Sequence, residues 1–282
     1  MISPDKFITK KPESEILRNY ISYYYFHQNF EKNNVKKIIF YPNTINAVTV
    51  YKNSCLVFKN RYISRAKPSE NKSFNLFYSG IKTQISISEM ETPFDKIGIA
   101  FEPLGIHRFI QKPYQQILSK NQDCVFTEFN EDIIPILEKA YTTLNFDEKV
   151  KLLDEYFLSK LIEFNEKLIE SAVELIRNNH SKYKVYNLAE DLKTSTKTLN
   201  RKFYQHLNCS VKEYLEVSQF RKSFNHFFTS VENENLTSLA NYYDYYDQSE
   251  FIRHYKKITG ITPKKLFQNV EQFGKENIYW GK

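Results

Sequence analysis

The chain has 282 residues, a formal net charge of +7 at pH 7 and three cysteines, Cys55, Cys124 and Cys209, with no paired spacing. This length is sufficient for two domains that each bury a core, and an odd number of distant cysteines argues against a disulfide framework. No run of about 18 apolar residues could span a bilayer, and the first residues carry acids and no apolar signal segment. We therefore expect a soluble, cytoplasmic protein with no membrane partner.

The first part of the sequence favours β structure. A short helix is predicted around residues 12–27, and short apolar runs separated by turn residues follow it. Strands are predicted at 35–40, 45–51, 55–58, 75–77, 83–88 and 97–101. These segments predict a β-rich, barrel-like domain over residues 1–130. Such an interior can hold one small ligand, but its aromatic residues would equally fill a closed core, so both interpretations stay open.

Helices are predicted from residue 132 to residue 178, where apolar residues recur on one side. We assign 131–164 to a helical linker and 165–282 to an all-α domain, so the overall class is α+β. The apolar stripes suit either ordinary core packing or a dimer seam.

Residues 185–214 predict a helix, a turn and a second helix. The inner faces are marked by apolar residues at helical spacing: Leu188, Ala189, Leu192, Leu199, Phe203 and Leu207. Ser195 stands where it can cap the second helix. Lys197, Asn200 and Arg201 fall on the opposite face of that helix, where Arg could bind guanine and Asn could bind adenine.

A second unit of the same kind ends in residues 244–263, DYYDQSEFIRHYKKITGITP. Asp247 is the predicted N-cap of its second helix, and Gly260 is the predicted left-handed residue that closes it. The outer face of the first turns carries four polar residues that could reach base edges: Gln248, Ser249, Glu250 and Arg253. Lys256 and Lys257 follow where phosphates would pass.

The region from residue 166 to residue 270 resembles the DNA-binding domain of AraC/XylS-type transcription regulators. The motif of the second unit is kept at Tyr245, Asp247, Gln248, Ser249, Phe251, Tyr255, Lys256, Gly260, Thr262 and Pro263. The first unit matches at Leu188, Ala189, Ser195, Leu199, Arg201, Phe203 and Tyr214. The apolar face of residues 217–228 fits the central helix that joins the two units in that family. Residues 97–110, IGIAFEPLGIHRFI, more loosely resemble the sensor-type domain that often precedes it.

Four residues depart from the family pattern. Asp244 and Asn208 stand where glycine is usual, so each must adopt a tight or left-handed conformation. Gln219 and Ser223 replace a frequent Arg and a frequent Ala of the central helix. None of these changes removes a residue of the two outer faces.

The resemblance implies a bacterial transcription regulator that binds double-stranded DNA through two recognition helices in successive major grooves. The residues predicted to contact DNA are Ser195, Lys197, Asn200, Arg201, Gln248, Ser249, Glu250, Arg253, Lys256 and Lys257. Residues 165–282 carry 18 basic and 14 acidic residues, a net +4 that suits phosphate contacts. RNA polymerase, a small-molecule effector and a second copy of the chain are the further partners that the family implies.

Two other classes of function stay open. A DNA-directed repair enzyme would need a reactive thiolate or a zinc site, and none of the three cysteines lies in a motif of that kind. A protein-interaction module could use the same helix-turn-helix scaffold, although it would not need two basic outer faces. We predict no enzymatic activity, no cofactor and no metal.

Overall fold

The computed structural model describes residues 5–60, 62–71, 73–117, 125–129, 131–179, 183–230, 235–274, 276 and 278–281. Strands β1 to β9 are Asp5–Lys10, Ile21–Asn29, Val35–Phe40, Asn46–Lys52, Ser54–Asn60, Ile63–Pro68, Phe74–Ser79, Ser86–Glu91 and Phe94–Phe101. Helices α1 to α5 are Tyr114–Ile117, Ile134–Thr142, Phe146–Ser159, Lys167–Asn178 and Val185–Asp191. Helices α6 to α10 are Thr196–Leu207, Val211–Thr229, Leu236–Tyr242, Gln248–Thr259 and Pro263–Asn269, and strands β10 and β11 are Val270–Phe273 and Ile278–Gly281.

The β-rich part consists of two sheets. One has the strand order β1-β2-β9-β4-β7, and the other has the order β10-β11-β3-β8-β6-β5. Strands β6 and β8 pair in parallel, whereas the other neighbouring strands are antiparallel. The sheets pack face to face, since Tyr51 and Phe77 of the first share a core with Ile38 and Met90 of the second. In the described residues no ladder joins the two sheets into a closed barrel, although their inner faces enclose a cavity.

The predicted α+β class and the β-rich N-terminal part are confirmed. Strand β3 coincides with the predicted 35–40 segment, and the predicted 97–101 strand lies within β9. The helix predicted at 12–27 is wrong, because residues 17–19 form a single 3-10 turn and Ile21–Asn29 is a strand. In β2, buried and half-buried residues follow one another with no exposed position, so the alternation that would identify a strand is absent.

Helices α2 and α3 cover the outer face of the first sheet. Leu137 and Tyr141 of α2 and Leu153 and Phe157 of α3 share one core with residues of β2, β4 and β9. The Tyr141 hydroxyl also donates to the carbonyl of Val50 at 2.9 Å. These contacts fix the helices of residues 131–159 to the sheet. No helix in the described ranges combines the length and the apolarity that crossing a membrane requires.

The C-terminal helical domain has two cores on either side of helix α7. The first holds the inner residues of α4, α5 and α6, among them Ile169, Leu188 and Phe203. The second holds the inner residues of α8 and α9 together with Phe220 and Phe224 of α7. Since α7 contributes to both cores, it sets the position of one unit relative to the other.

The helices are followed by a hairpin that the sequence does not predict. Strands β10 and β11 pair with each other, and β11 then pairs with β3, with Trp280 opposite Phe40. Trp280 packs against Phe7, at 4.7 Å between ring centroids, and against Phe273 at 4.2 Å. The end of the chain therefore returns from the helical domain to the β-rich domain.

Candidate DNA-binding surface and interdomain cavity

Helix α6 has the caps that the sequence predicts. The Ser195 hydroxyl accepts a hydrogen bond from the amide of Thr198 at 3.0 Å, which satisfies one of the orphan donors of the first turn. Asn208 closes the helix in the left-handed conformation, with φ at 53°. Leu199 and Phe203 are fully buried beneath it. The outer face is thereby turned to solvent.

The outer face of α6 presents exposed Lys197 and Arg201. Asn200, beside them, is half-buried and makes internal hydrogen bonds with both ends of its amide. It donates to the Thr196 carbonyl at 3.0 Å and accepts from the Val211 amide at 3.1 Å. Asn200 therefore ties α6 to the start of α7.

Helix α9 begins with a reciprocal cap. The Asp247 carboxylate accepts from the amide of Glu250 at 2.6 Å, and the Glu250 carboxylate accepts from the amide of Tyr246 at 2.7 Å. Gly260 closes the helix with φ at 72°, as predicted, and Asp244 in the preceding turn has φ at 53°. Glu250 thus has a structural role at the start of α9.

The outer face of α9 presents Gln248, Ser249 and Arg253, all exposed, with Lys256 one turn further on. Lys257 is also exposed but contacts both carboxylate oxygens of Glu216 on α7 at 2.7 Å. In α6, Lys202 likewise donates to Glu166 at 2.6 Å, and this hydrogen bond lowers the pKa of the Glu166 carboxyl. The cations without an acidic partner in the described residues of these two faces are Lys197, Arg201, Arg253 and Lys256.

The two departures in the central helix form hydrogen bonds to the second unit. The Gln219 side chain donates to the Tyr243 carbonyl at 2.9 Å. The Ser223 hydroxyl lies 2.8 Å from the Tyr255 hydroxyl and is completely buried. Polar residues at these positions therefore connect α7 to α8 and α9.

Two exposed tyrosines, which the sequence pattern does not indicate, adjoin the outer faces of α6 and α9. Tyr204 on α6 is 45% exposed, and Tyr246, directly before the cap of α9, is 92% exposed. Aromatic residues at such positions look like core residues in a sequence this rich in tyrosine. Their exposure is visible only when the direction of the side chain is known.

The first unit contacts the β-rich domain through two histidines. His107, in the turn after β9, lies 2.9 Å through Nε2 from the carbonyl of His206 at the end of α6. The ring of His107 stacks on Phe164 at 4.8 Å between centroids. Burial lowers the pKa of His107 to about 4, so the ring is neutral at pH 7 and donates this hydrogen bond.

A cavity of about 310 Å³ lies inside the β-rich domain and reaches the helical domain. Its wall is rich in aromatic residues, which include Tyr25, Tyr51 and Phe77 of the first sheet, Phe40 and Phe58 of the second, and Tyr279 and Trp280 of the hairpin. Arg221 of α7 and Asn208 at the end of α6 also line it. The volume lies at the lower end of the range for small-molecule sites.

The thiols differ in exposure. Cys55 is exposed in β5, whereas Cys209 is buried, which raises the pKa of its thiol well above the ordinary value. A buried thiol of this kind is unreactive. Cys124 lies outside the described residues.

Comparison with known proteins gives matches at two levels. The family model described as a helix-turn-helix domain matches residues 188–269. A search of curated proteins gives no match. Among solved structures, the chain is similar to ToxT from Vibrio cholerae, at 13% identity and a TM-score of 0.44, over 93% of this chain and 96% of that chain. Unsaturated fatty acid-bound ToxT from strain SCE256 of that organism matches at 12% identity and a TM-score of 0.46, over 86% and 94%. ToxT from strain O395 matches at 12% identity and a TM-score of 0.43, over 93% and 96%.

Proposed function

We propose that the helix-turn-helix domain matched at residues 188–269 is of the AraC type, and that the chain is a sequence-specific transcription regulator with α6 and α9 as its recognition helices. The observation that carries the proposal is the pair of capped helices, each with an exposed arginine on its outer face. A DNA-binding module of this type needs both rigid helices and forked donors that point to solvent.

Base recognition falls to residues whose side chains project from these faces. Arg201 and Arg253 can each bind the O6 and N7 atoms of a guanine, and Lys197, Gln248 and Ser249 supply further donors. Asn200 and Glu250 already have intramolecular partners, so we propose that they position the helices rather than bind bases. The two helices would enter successive major grooves about 34 Å apart.

Phosphate binding falls to the remaining contacts. Lys256 and the hydroxyl of Ser195 lie at the edges of the two faces, and Lys257 would exchange Glu216 for a phosphate oxygen. Each such contact releases counterions from DNA, so affinity should fall steeply as the salt concentration rises. Tyr204 and Tyr246 are placed to contact sugar or phosphate beside them.

Control by a small molecule is the second part of the proposal. The cavity is lined by both domains, so a ligand inside it would contact α7 and the hairpin as well as the sheets. Binding there can favour one arrangement of the two recognition helices, because a ligand shifts an equilibrium by its differential affinity for the states.

The proposed domain boundaries are 1–130, 131–164 and 165–282, with the final hairpin returning to the six-stranded sheet.

We propose two further partners, a second copy of the chain and RNA polymerase. One chain with two recognition helices reads an asymmetric sequence, so a second copy of the chain would read a repeat of it. A regulator bound in this way would act on RNA polymerase at a neighbouring promoter. We propose both partners as parts of the same function.

Selection of genomic fragments with the purified full-length protein at moderate salt tests the proposal. We expect a shared motif with two blocks about one helical turn apart. A matched control is Lys37→Ala, which removes an exposed charge from β3 and should leave the motif unchanged. Salt-sensitive binding without any shared motif would contradict sequence-specific recognition, and binding to neither specific nor random DNA would contradict the proposal as a whole.

A further inference from the structure

The cavity contains a buried lysine with no acidic partner. Lys96 of β9 is only 3% exposed and lines the cavity wall. Its ammonium group lies 3.0 Å from the sulfur of Met90 and 5.6 Å from the ring centroid of Tyr51. No carboxylate lies within ion-pair distance of it in the described part of the chain. A buried ammonium without a counter-charge is costly, so the site favours an anion.

The electrostatics of Lys96 agree with this geometry. Burial, followed by the nearby charge of Lys36, lowers the pKa of Lys96 to about 7. An anion beside the amine would favour its protonated form and restore the charge. The Lys96 amine is therefore fully charged at pH 7 only when an acid group lies beside it.

A second polar group occupies a different part of the wall. The hydroxyl of Ser86 in β8 is buried, lines the cavity and has no hydrogen-bond partner in the described residues. Buried hydroxyl groups in native proteins nearly always have a partner. The Ser86 hydroxyl is therefore a donor available to a ligand.

The strand registers place these two groups at opposite ends of the cavity. Along β8, Ser86 is four residues from Met90, the residue that contacts Lys96. Four residues of a strand span roughly 13 Å. Ser86 pairs with Phe40, beside Tyr41, which packs in the core of the second helix-turn-helix unit. Arg221 of α7 lines the cavity and lies near Tyr23, which pairs with Ala100, four residues from Lys96 along β9.

We propose that the cavity binds a narrow molecule with an acidic group at each end and an apolar body between them. One acid group would pair with Lys96, and the other would accept hydrogen bonds from Ser86 and Arg221. The aromatic side chains of Tyr25, Phe77 and Trp280 would enclose the body. The binding site itself does not depend on the proposed regulatory function; only the role of the ligand as an effector rests on that function.

The test uses the fluorescence of Trp280, the single tryptophan of the chain, which lines the cavity. The full-length protein is titrated with decanedioate, with decanoate and with the dimethyl ester of decanedioate. We expect decanedioate to bind at least about tenfold more tightly than decanoate and the ester to bind weakest, since each acid group gains a charge-assisted hydrogen bond. Equal affinity for the diacid and the monoacid would overturn the proposal, as would no binding of the diacid.

Two variants separate the ends of the site. Lys96→Met keeps the length of the side chain and should weaken decanedioate binding about tenfold or more, whereas Ser86→Ala should weaken it several-fold, as for one lost hydrogen bond. Lys37→Met, on the exposed side of β3, is the matched control and should bind like the wild type. Circular dichroism checks that each variant is folded, and unchanged affinity in folded Lys96→Met would overturn the assignment.

DNA binding is measured separately, without any ligand. If the ligand titration succeeds and no DNA motif is found, the site stands and the regulatory function fails. If a motif is found and no diacid binds, the function stands and the ligand class is wrong.

Discussion

The two helix-turn-helix units have matching proposed recognition helices, α6 and α9, and different attachments. Each recognition helix starts at a side-chain cap, ends at a left-handed residue and presents one exposed arginine. The first unit meets the β-rich domain directly, through His107 and the carbonyl of His206. The second unit is held by hydrogen bonds from α7 and is joined to the β-rich domain by the final hairpin and by Tyr41, which packs in the core of that unit. The arrangement of the outer faces of α6 and α9 therefore depends on contacts with the β-rich domain at two separate places, one for each unit.

This difference has a physical consequence for regulation. The contact of the first unit combines the His107 hydrogen bond with apolar packing of Ile81 and Leu104, whereas the hairpin that follows the second unit is anchored by aromatic packing of Trp280. Trp280 and Tyr279 of the hairpin also line the cavity, whereas the first unit contributes only Asn208 among its described residues. We expect a cavity ligand to act first on the second unit.

Removal of the Trp280 anchor should have the largest effect. Trp280→Ala leaves a cavity among Phe7, Phe40 and Phe273, and we expect the free energy of unfolding to fall by about 3–5 kcal/mol. Urea unfolding followed by circular dichroism measures the loss. Trp280→Phe is the control and should lose much less, because an aromatic ring still fills the site. A fall below about 1 kcal/mol in Trp280→Ala would show that the hairpin is not a stabilising attachment.

The attachment of the first unit should be sensitive to pH. The folded pKa of His107 is about 4, below its ordinary value, with burial as the main cause. Below pH 6.5 the unfolded chain therefore takes up a proton at His107 that the folded chain does not take up. The contribution of neutral His107 to stability is fully present above pH 6.5 and is lost as the pH falls toward 4. For this histidine alone the loss at pH 5 is about 2 kcal/mol.

His107→Gln isolates that contribution, since glutamine can still donate to the His206 carbonyl and does not titrate. Glu166 and His206 face the same junction, and both pKa values are lowered, so they lose stability in the same direction in both proteins. Urea unfolding of the wild type and the variant at pH 7 and pH 5 gives the difference. Parallel loss in the two proteins would rule out His107 as the titrating group.

The outer faces of α6 and α9 can be tested against each other with Arg201→Ala and Arg253→Ala. Each should cost roughly 1–3 kcal/mol at the selected site, and each should weaken only its own block of the motif. Arg201→Lys and Arg253→Lys keep the charge and lose the forked geometry, so they should retain non-specific binding. Fluorescence anisotropy with DNA altered in one block at a time makes the measurement. An equal loss on every sequence would identify the arginines as phosphate contacts instead.

The sequence predicts the helical domain more accurately than the β-rich one. Caps such as Ser195, Asp247 and Gly260 depend on neighbouring residues, so a local pattern is enough to place them. Strand β2 contains buried residues on both faces, so its sequence predicts a helix, and β1, β6, β10 and β11 have no distinctive alternation. The packing of β11 on β3 joins residues 240 positions apart, which no local signal can anticipate.

The candidate sites show the same division. The outer faces of α6 and α9 follow from helical periodicity, and their exposed arginines are where the pattern placed them. Lys96 and Ser86 could not be recognised, because inward and outward positions of a strand differ only by register. Asn200 and Glu250 lie on the predicted faces, but their internal hydrogen bonds depend on the fold around them.

Contact between the central helix and the second unit can be weakened at Ser223. In Ser223→Ala the buried Tyr255 hydroxyl loses its partner, and we expect stability to fall by about 1–2 kcal/mol. Tyr255→Phe removes the other member of the pair and should cost a similar amount. The double variant should cost less than the sum, and strict additivity in urea unfolding would show that the two hydroxyls do not interact.

The smallest expected effect concerns the left-handed residues of the two units. Asp244 and Asn208 both have φ at 53°, and glycine adopts this conformation without strain. Asp244→Gly should raise stability by about 0.5–1 kcal/mol, and Asn208→Gly should raise it less, because asparagine tolerates this conformation better than most residues. Gly260→Ala is the opposite change, at φ 72° with no atom within 4 Å of the added Cβ, so its cost of about 1 kcal/mol would come from the backbone alone. Thermal unfolding should thus show raised stability in Asp244→Gly and Asn208→Gly and lowered stability in Gly260→Ala. A loss in Asp244→Gly would mean that the aspartate side chain stabilises its turn by more than the strain it carries.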